Sequence, residues 1–306
     1  MLTKAEPLIE TRFRAMGTDV HVAVVGGGPN LLQVAEQRIR DLERRWSRVL
    51  DTSEISALNG NPGRPVIVSA DTFTLVARAV AAWHATGGRF DPTVGPALAA
   101  HGYDRDFTDV ARATSTAAFS IAPVPGPAGI DLLTGVNAIT LPVGVTVDPG
   151  GIGKGLAADL TAHLLLASGA EGALVNLGGD LRALGRAPSR DGWAVTVDDP
   201  IRAGRELLRL AMPEGAVATS SRLRRRWQTT AGEAHHLIDP STGRPAQTDV
   251  VAVTVVAGEA WWAEALTKAL FLSGAAGLHE IDDLHAVVVT ADGLRHATPD
   301  LEATLR

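Results

Sequence analysis

Residues 147–159 read Val-Asp-Pro-Gly-Gly-Ile-Gly-Lys-Gly-Leu-Ala-Ala-Asp, and the rest of the chain is ordered around them. Asp148 stands at the expected end of a strand, four glycines and Lys154 follow, and the apolar residues of a helix then run on through Leu166. Glycine at such a turn lets backbone approach a ligand, and the unpaired N–H groups of a helix start favour anions. The stretch therefore predicts a phosphate-binding site with Lys154 as a mobile positive charge. A strand-to-helix turn that needs glycine for steric reasons alone would have the same composition. The pattern is not G-x-x-x-x-G-K-[ST], because Gly155 follows the lysine, and it fits G-x-G-x-x-G poorly.

Upstream, Arg12 to Val25 alternates as one strand with Ala15-Met16-Gly17-Thr18 inside it, and an amphipathic helix is expected from about Leu31 to Leu50. The polar stretch S-E-I-S-A-L-N (53–59) leads to a short strand at Val66 to Val68 and a second amphipathic helix over Ala70 to Gly87. Phe90-Asp91-Pro92-Thr93-Val94-Gly95-Pro96 is a loop with a carboxylate and a hydroxyl. It reads either as a functional loop or as a turn whose Asp91 and Thr93 cap the next short helix. Residues 104–129, rich in alanine and proline, read as a surface insertion.

Downstream, Glu171 to Leu177 is expected as a strand that ends in Asn176-Leu177-Gly178-Gly179-Asp180, and 181–238 as mainly strands. Arg222, Arg224, Arg225 and Arg226 are expected on the solvated face of a strand, with binding of an anion or acceptor protein as the alternative. His235 and His236 point to opposite faces of a strand and are poorly placed to grip one metal together. A strand over Asp249 to Ala257, a helix over Glu259 to Ser273 and a strand over Ala286 to Thr290 complete an α+β or mixed α/β fold.

A chain of 306 residues is long enough for one large domain or two intimate ones, and with 45% hydrophobic and 20% charged residues it reads as an ordinary globular protein. Its formal net charge of -6 argues against nucleic acid as a partner. The absence of cysteine excludes disulfides, thiolate metal sites and thiol nucleophiles. No segment reaches the roughly 18 apolar residues of a membrane span, and the N-terminus lacks a signal-like apolar run. The expected compartment is the cytoplasm.

The loops together resemble the ApbE family, the FAD:protein FMN transferases. The resemblance rests on A-M-G-T (15–18), S-E-I-S-A-L-N (53–59), F-D-P-T-V-G-P (90–96), D-P-G-G-I-G-K-G (148–155), N-L-G-G-D (176–180), A-T-S-S (218–221), H-L-I-D-P-S-T-G (236–243) and A-E-A-L-T-K-A-L (263–270), in the family's order. It implies a single domain over 1–306, with T-fold-related sheets and packed helices. It also implies FAD as substrate, Mg²⁺ as helper, and transfer of FMN through a phosphoester to Ser or Thr of an acceptor protein. By the same resemblance Met16, Thr18, Gly88, Arg89, Phe90, Asp91, Thr93, Gly150, Gly151, Gly153, Lys154, Asn176, Gly178, Gly179, Thr219, Ser220, His236 and Leu237 line the flavin nucleotide. The Gly153 carbonyl and Glu264 would hold the metal, and His236 would hydrogen-bond the phosphates or move a proton from the acceptor hydroxyl.

One departure bears on activity. The family's last helix usually carries Asp and, four residues later, Thr for the Mg²⁺, and here those positions are Glu264 and Lys268. An ammonium cannot ligate Mg²⁺, which demands close octahedral oxygens. Three arrangements follow: Glu264 keeps the metal with help from Thr267 or water; Lys268 takes the metal's place, paired with Glu264; or the two form a plain i,i+4 surface pair. The alternative to transferase activity is a relative that binds FAD, or slowly hydrolyses it, without modifying a partner.

Overall fold

The computed structural model describes residues 8–105, 107–110, 123–230, 232–281 and 283–305, so half of the insertion expected over 104–129 lies outside the described residues. The chain divides into two compact units, Met1–Asp41, Lys154–Ser220 and Val250–Arg306 forming one, and Leu42–Gly153 with Ser221–Asp249 the other.

The first unit is built on an eight-stranded sheet. Its strands lie in the order Leu8–Ala15, Thr18–Val25, Gly172–Leu177, Asp180–Gly185, Gly215–Ser221, Val250–Ala257, His285–Thr290, Arg295–Ala297. The first five pair antiparallel in succession, as do the last three. Valine and alanine dominate the central strands because both their faces are covered; Val250, Val251, Ala252, Val253 and Val255 are all buried. On one face Trp193, Leu207, Leu208 and Met212 of the hairpin Trp193–Asp198/Glu206–Met212 pack on Val217, Val287 and Val289. The helix Ala260–Ser273 packs on the strands Val250–Ala257 and Asp180–Gly185.

The alternating stretch Arg12 to Val25 is two strands rather than one. Ala15 pairs with Thr18, and Met16 and Gly17 between them have φ of 52° and 67°. Two left-handed residues make the tight turn whose twist matches a hairpin. A second hairpin closes the same way where Leu177 pairs with Asp180 across Gly178 (φ 67°) and Gly179 (φ 103°). The two ends lie side by side, since Val20 pairs with Leu177 and Gly178 donates its N–H to the Asp19 carbonyl at 2.9 Å. A Cβ on Gly178 would overlap the Thr18 hydroxyl, so this approach requires glycine.

The second unit holds the helices Glu54–Asn59, Ala70–Ala85 and Gly95–Ala100 and a three-stranded sheet ordered Val66–Ile67, Ala138–Thr140, Asp131–Leu133. Leu98, Tyr103, Val110, Trp227, Ala234 and Ile238 form a core there. Glu54 stabilises the start of the second of these helices, taking the N–H and hydroxyl of its cap Ser69 at 3.1 and 2.7 Å. The strand expected to end at Asp148 is not formed, since the preceding strand is Ala138–Thr140; Asn59 instead clasps the irregular segment at Val147, donating to its carbonyl (3.0 Å) and accepting its N–H (2.8 Å).

The arginine run is not a strand face. Arg222 to Arg225 form a turn, and only Arg226 opens the strand Arg226–Thr229. Arg222 donates to the Thr248 carbonyl (2.7 Å) and Arg225 to the Tyr103 hydroxyl (3.0 Å), so both brace neighbouring loops. The helix expected to reach Leu50 is Asn30–Trp46. Among the described residues, no helix is long and apolar enough to cross a membrane.

Candidate functional site

The helix Gly153–Ala167 opens with the lysine and glycine of the organising stretch. Gly155 lets it approach the start of the helix Ala260–Ser273, since a Cβ there would overlap the Ala260 carbonyl oxygen. This brings Glu264 against the turn that carries Lys154. Glu264 Oε2 accepts the Gly155 N–H at 2.7 Å, and Oε1 accepts Lys154 Nζ and, at 3.3 Å, Lys268 Nζ. Lys154 Nζ also lies 2.6 Å from Asp180 Oδ2 at the end of the second hairpin.

The cluster therefore holds two carboxylates and two ammoniums, and it is layered. The side chains of Glu264 and Asp180 are 0% and 4% exposed, whereas Lys154 and Lys268 each keep 18%. Burial pushes the Glu264 pKa up, but the adjacent Lys154 and Lys268 ammoniums outweigh it and bring the group down to about 2, so it is ionised. For Asp180 burial prevails over Lys154 and the pKa is raised. For Lys268 burial prevails over Glu264 and the pKa is lowered. Asp180 Oδ1 is buried with no hydrogen-bond partner among the described residues.

Of the three arrangements open for Glu264 and Lys268, the exposed surface pair is overturned, because Glu264 is sealed from solvent. Thr267 does not stand in for the lost hydroxyl either. Its Oγ1 donates to the Glu264 carbonyl (2.7 Å) and pairs with Ser220 Oγ (2.7 Å) in the interior. Thr219, one residue before, pairs with Thr254 at 3.0 Å.

The helix that carries Glu264 is capped from elsewhere. Glu259 holds the cap position without a side-chain cap bond, and its carboxylate takes the Trp261 indole N–H at 2.7 Å instead. The Ala260 and Trp261 N–H groups go to Asp159 Oδ1 and Oδ2, both at 2.9 Å. Burial raises the Asp159 pKa to about 6 against these two bonds and the Arg182 guanidinium 3.6 Å away.

The second unit gathers another set. Asp91 Oδ1 accepts the Thr93 N–H (2.7 Å) and hydroxyl (2.6 Å), and Thr93 Oγ1 accepts the Gly126 N–H (3.0 Å). These residues brace their own loop and do not cap the next helix, Gly95–Ala100, whose cap is Val94. Burial raises the Asp91 pKa. Gly88 is left-handed (φ 80°), the Arg89 N–H goes to the Thr86 carbonyl, and the Phe90 ring lies so close to Gly151 that a Cβ there would meet it at 2.9 Å. Asp148 caps the turn Pro149–Gly151 through the Gly150 N–H (2.7 Å) and is held by Arg48 at 2.5 Å. The Arg48 guanidinium also lies over the Tyr103 ring, 4.2 Å from its centroid.

The two histidines separate. His235 Nε2 is 3.2 Å from the Ala246 carbonyl and its Nδ1 accepts the Leu237 N–H, so both ring nitrogens serve the fold; burial lowers its pKa. His236 Nδ1 is 3.3 Å from the Arg225 carbonyl. A carbonyl only accepts, so Nδ1 carries the proton, and Nε2 is the nitrogen able to take one up.

Of the residues singled out in the sequence, the first unit brings Lys154, Glu264 and Lys268 into contact. Met16, Thr18, Asn176, Gly178 and Gly179 stand at the two hairpin ends, where Asn176 Oδ1 accepts the Gly179 N–H at 2.8 Å. Thr219 and Ser220 lie on the strand beside the one that Asp180 opens. The second unit holds Gly88, Arg89, Phe90, Asp91 and Thr93 in one loop, Gly150, Gly151 and Gly153 in the glycine turn, and His236 and Leu237 after the strand Gly232–His235. Sequence reasoning gave no site role to Asp180, Asp159 or Arg48. Asp180 was signalled by its place after Gly178-Gly179; Arg48 carried no signal.

Residues 16–289 match the profile of the ApbE family. The chain is 32% identical over 238 residues to the FAD:protein FMN transferase of Treponema pallidum (strain Nichols), a match that takes in 73% of this chain and 66% of that protein. It is 26% identical over 288 residues to the FAD:protein FMN transferase of Haemophilus influenzae, covering 89% of this chain and 82% of that one. Among solved structures it is similar to an ApbE protein from Thermotoga maritima, with a TM-score of 0.83 at 26% identity over 98% of this chain and 100% of the other. The flavin transferase ApbE of Vibrio cholerae shares the fold, with a TM-score of 0.78 at 23% identity over 98% of this chain and 100% of that one.

Proposed function

Because the chain belongs to the ApbE family, we propose that it is a FAD:protein FMN transferase. The observation that carries this is the cluster of Lys154 and Lys268, whose side chains are its partly accessible members, at the glycine-rich opening of a helix. Phosphoryl transfer asks little covalent work of a protein and much positive charge, held in place before the reaction begins.

The reaction we propose forms one P–O bond and breaks another. The hydroxyl oxygen of a Ser or Thr on an acceptor protein attacks the FMN phosphorus of FAD, the bond to the AMP phosphate breaks, and AMP leaves with the electron pair. The hydroxyl proton passes to a base, for which we assign His236 Nε2. Met16, the Gly88–Thr93 loop, the glycine turn and the second hairpin keep the binding roles that the resemblance gives them. We keep the cytoplasm as the proposed compartment.

The resemblance also implies Mg²⁺ on Glu264, and the residues present do not fit it. Both Glu264 oxygens are engaged by ammoniums and a backbone N–H, and the position that would add a hydroxyl is Lys268. No step is therefore assigned to a metal.

The test is incubation of the purified protein with FAD and a panel of Ser- and Thr-containing acceptor polypeptides. AMP release is followed beside flavin fluorescence that survives denaturing electrophoresis. Covalent fluorescence with matching AMP is expected. Neither product, under any divalent ion or none, would sink the proposal.

A further inference from the structure

The misfit between Glu264 and a divalent ion has a positive counterpart. Glu264 Oε1 accepts both lysines and Oε2 accepts the Gly155 N–H, so a metal on this carboxylate would displace an ammonium or sit beside two. Mg²⁺ needs close oxygen ligands and an ammonium supplies none. The four side-chain charges of Lys154, Lys268, Glu264 and Asp180 cancel within the cluster, which needs no added cation for its own neutrality.

The layering gives that neutral cluster a polarity. The carboxylates are sealed inside, whereas the Lys154 and Lys268 side chains each keep 18% of their surface accessible, so an anion that reaches the cluster meets the lysine side chains before the carboxylates. Among the described residues Glu264 is the hydrogen-bond partner of Lys268, and that bond uses one of three N–H donors. Lysine is a compact point charge suited to phosphate oxygens. Held by a buried carboxylate one helical turn away, its head group is positioned before any ligand arrives.

We infer that this chain binds the diphosphate of its flavin dinucleotide without a divalent metal, using the Lys268 and Lys154 ammoniums, anchored by Glu264 and Asp180, as built-in cations. The inference rests on the flavin reading above and names how that site neutralises its substrate. It concerns binding and leaves the transfer reaction as proposed.

Equilibrium binding of FAD to the intact protein, with EDTA or with Mg²⁺, tests it without any turnover. The expected Kd differs by less than about threefold between the two, since no metal-bridged phosphate contact is made or lost. A larger gain with Mg²⁺ overturns the inference and leaves the flavin reading standing. No binding under either condition overturns the flavin reading and the inference with it. In Lys268→Thr, affinity in EDTA is expected to fall about tenfold, as one charge-assisted contact is removed; unchanged affinity in that variant overturns the role of Lys268. Mn²⁺ titrated into the wild-type protein with FAD and followed by electron paramagnetic resonance is a readout that does not depend on the variant folding. A free-ion signal throughout is expected, and stoichiometric protein-bound Mn²⁺ overturns the inference.

Discussion

Lys154 Nζ stands 2.6 Å from Asp180 Oδ2 and also touches Glu264, so one ammonium ties the first turn of a helix to a hairpin end and to a second helix. Lys154→Met would leave Asp180 without its ion pair and Glu264 with Lys268 alone. Removing one partner of a buried pair strands the other charge, and a loss of about 3 kcal/mol is expected in urea unfolding. A change below about 0.5 kcal/mol, the value of a surface pair, would contradict the buried arrangement.

Asp159 titrates where few carboxylates do. Its folded pKa of about 6 lies above the ordinary value, so its contribution is fully present below about pH 4 and is lost as pH rises through 6. The loss amounts to about 3 kcal/mol, taken as the difference from an Asp159→Asn reference. Carboxyl-carbon NMR should give a midpoint near 6, and a midpoint near 4 would remove the effect.

His235 and His236 should part company on mutation. His236→Ala is expected to slow FMN transfer about 100-fold while FAD affinity holds, as for loss of a general base. His235→Ala should cost about 1 kcal/mol of stability through its bonds to Ala246 and Leu237. Transfer lost in the His235 variant and kept in the His236 variant would reverse the assignment.

Met16 occupies a left-handed conformation that glycine adopts without strain. Met16→Gly should raise thermal stability by about 1 kcal/mol and weaken FAD binding. A stable variant with unchanged FAD affinity would take Met16 out of the flavin site.

Gly155→Ala drives a methyl into the Ala260 carbonyl and forces the two helices apart. Overpacking of this kind should cost about 2 kcal/mol in denaturant unfolding. It should also loosen Glu264 from the Gly155 N–H, and full retention of stability would mean that the helices can separate at little cost.

Much of the fold is legible in the sequence, because periodicity marks the central strands and most helices. The first hairpin escaped although the apolar positions change phase across Met16-Gly17, from Phe13 and Ala15 to Val20, Val22 and Val24, because methionine is an uncommon residue in the left-handed conformation that this turn requires. The arginine turn escaped because Arg222 to Arg225 contains no glycine, proline or asparagine to announce it. In the candidate site, the i,i+4 spacing disclosed the Glu264–Lys268 pair. That Lys154 reaches the same oxygen depends on two helices meeting at Gly155, a tertiary fact no local pattern encodes.

The Asp159 cap has a consequence for how the protein assembles. The opening amides of the helix Ala260–Ser273 are received by a carboxylate about a hundred residues earlier in the chain. As an isolated segment that helix lacks its terminator, and it should fray until the Gly153–Ala167 helix is in position. The element that presents Glu264 and Lys268 therefore depends for its first turn on a residue of the Gly153–Ala167 helix, so the charged cluster and the contact between the two helices stand or fall together.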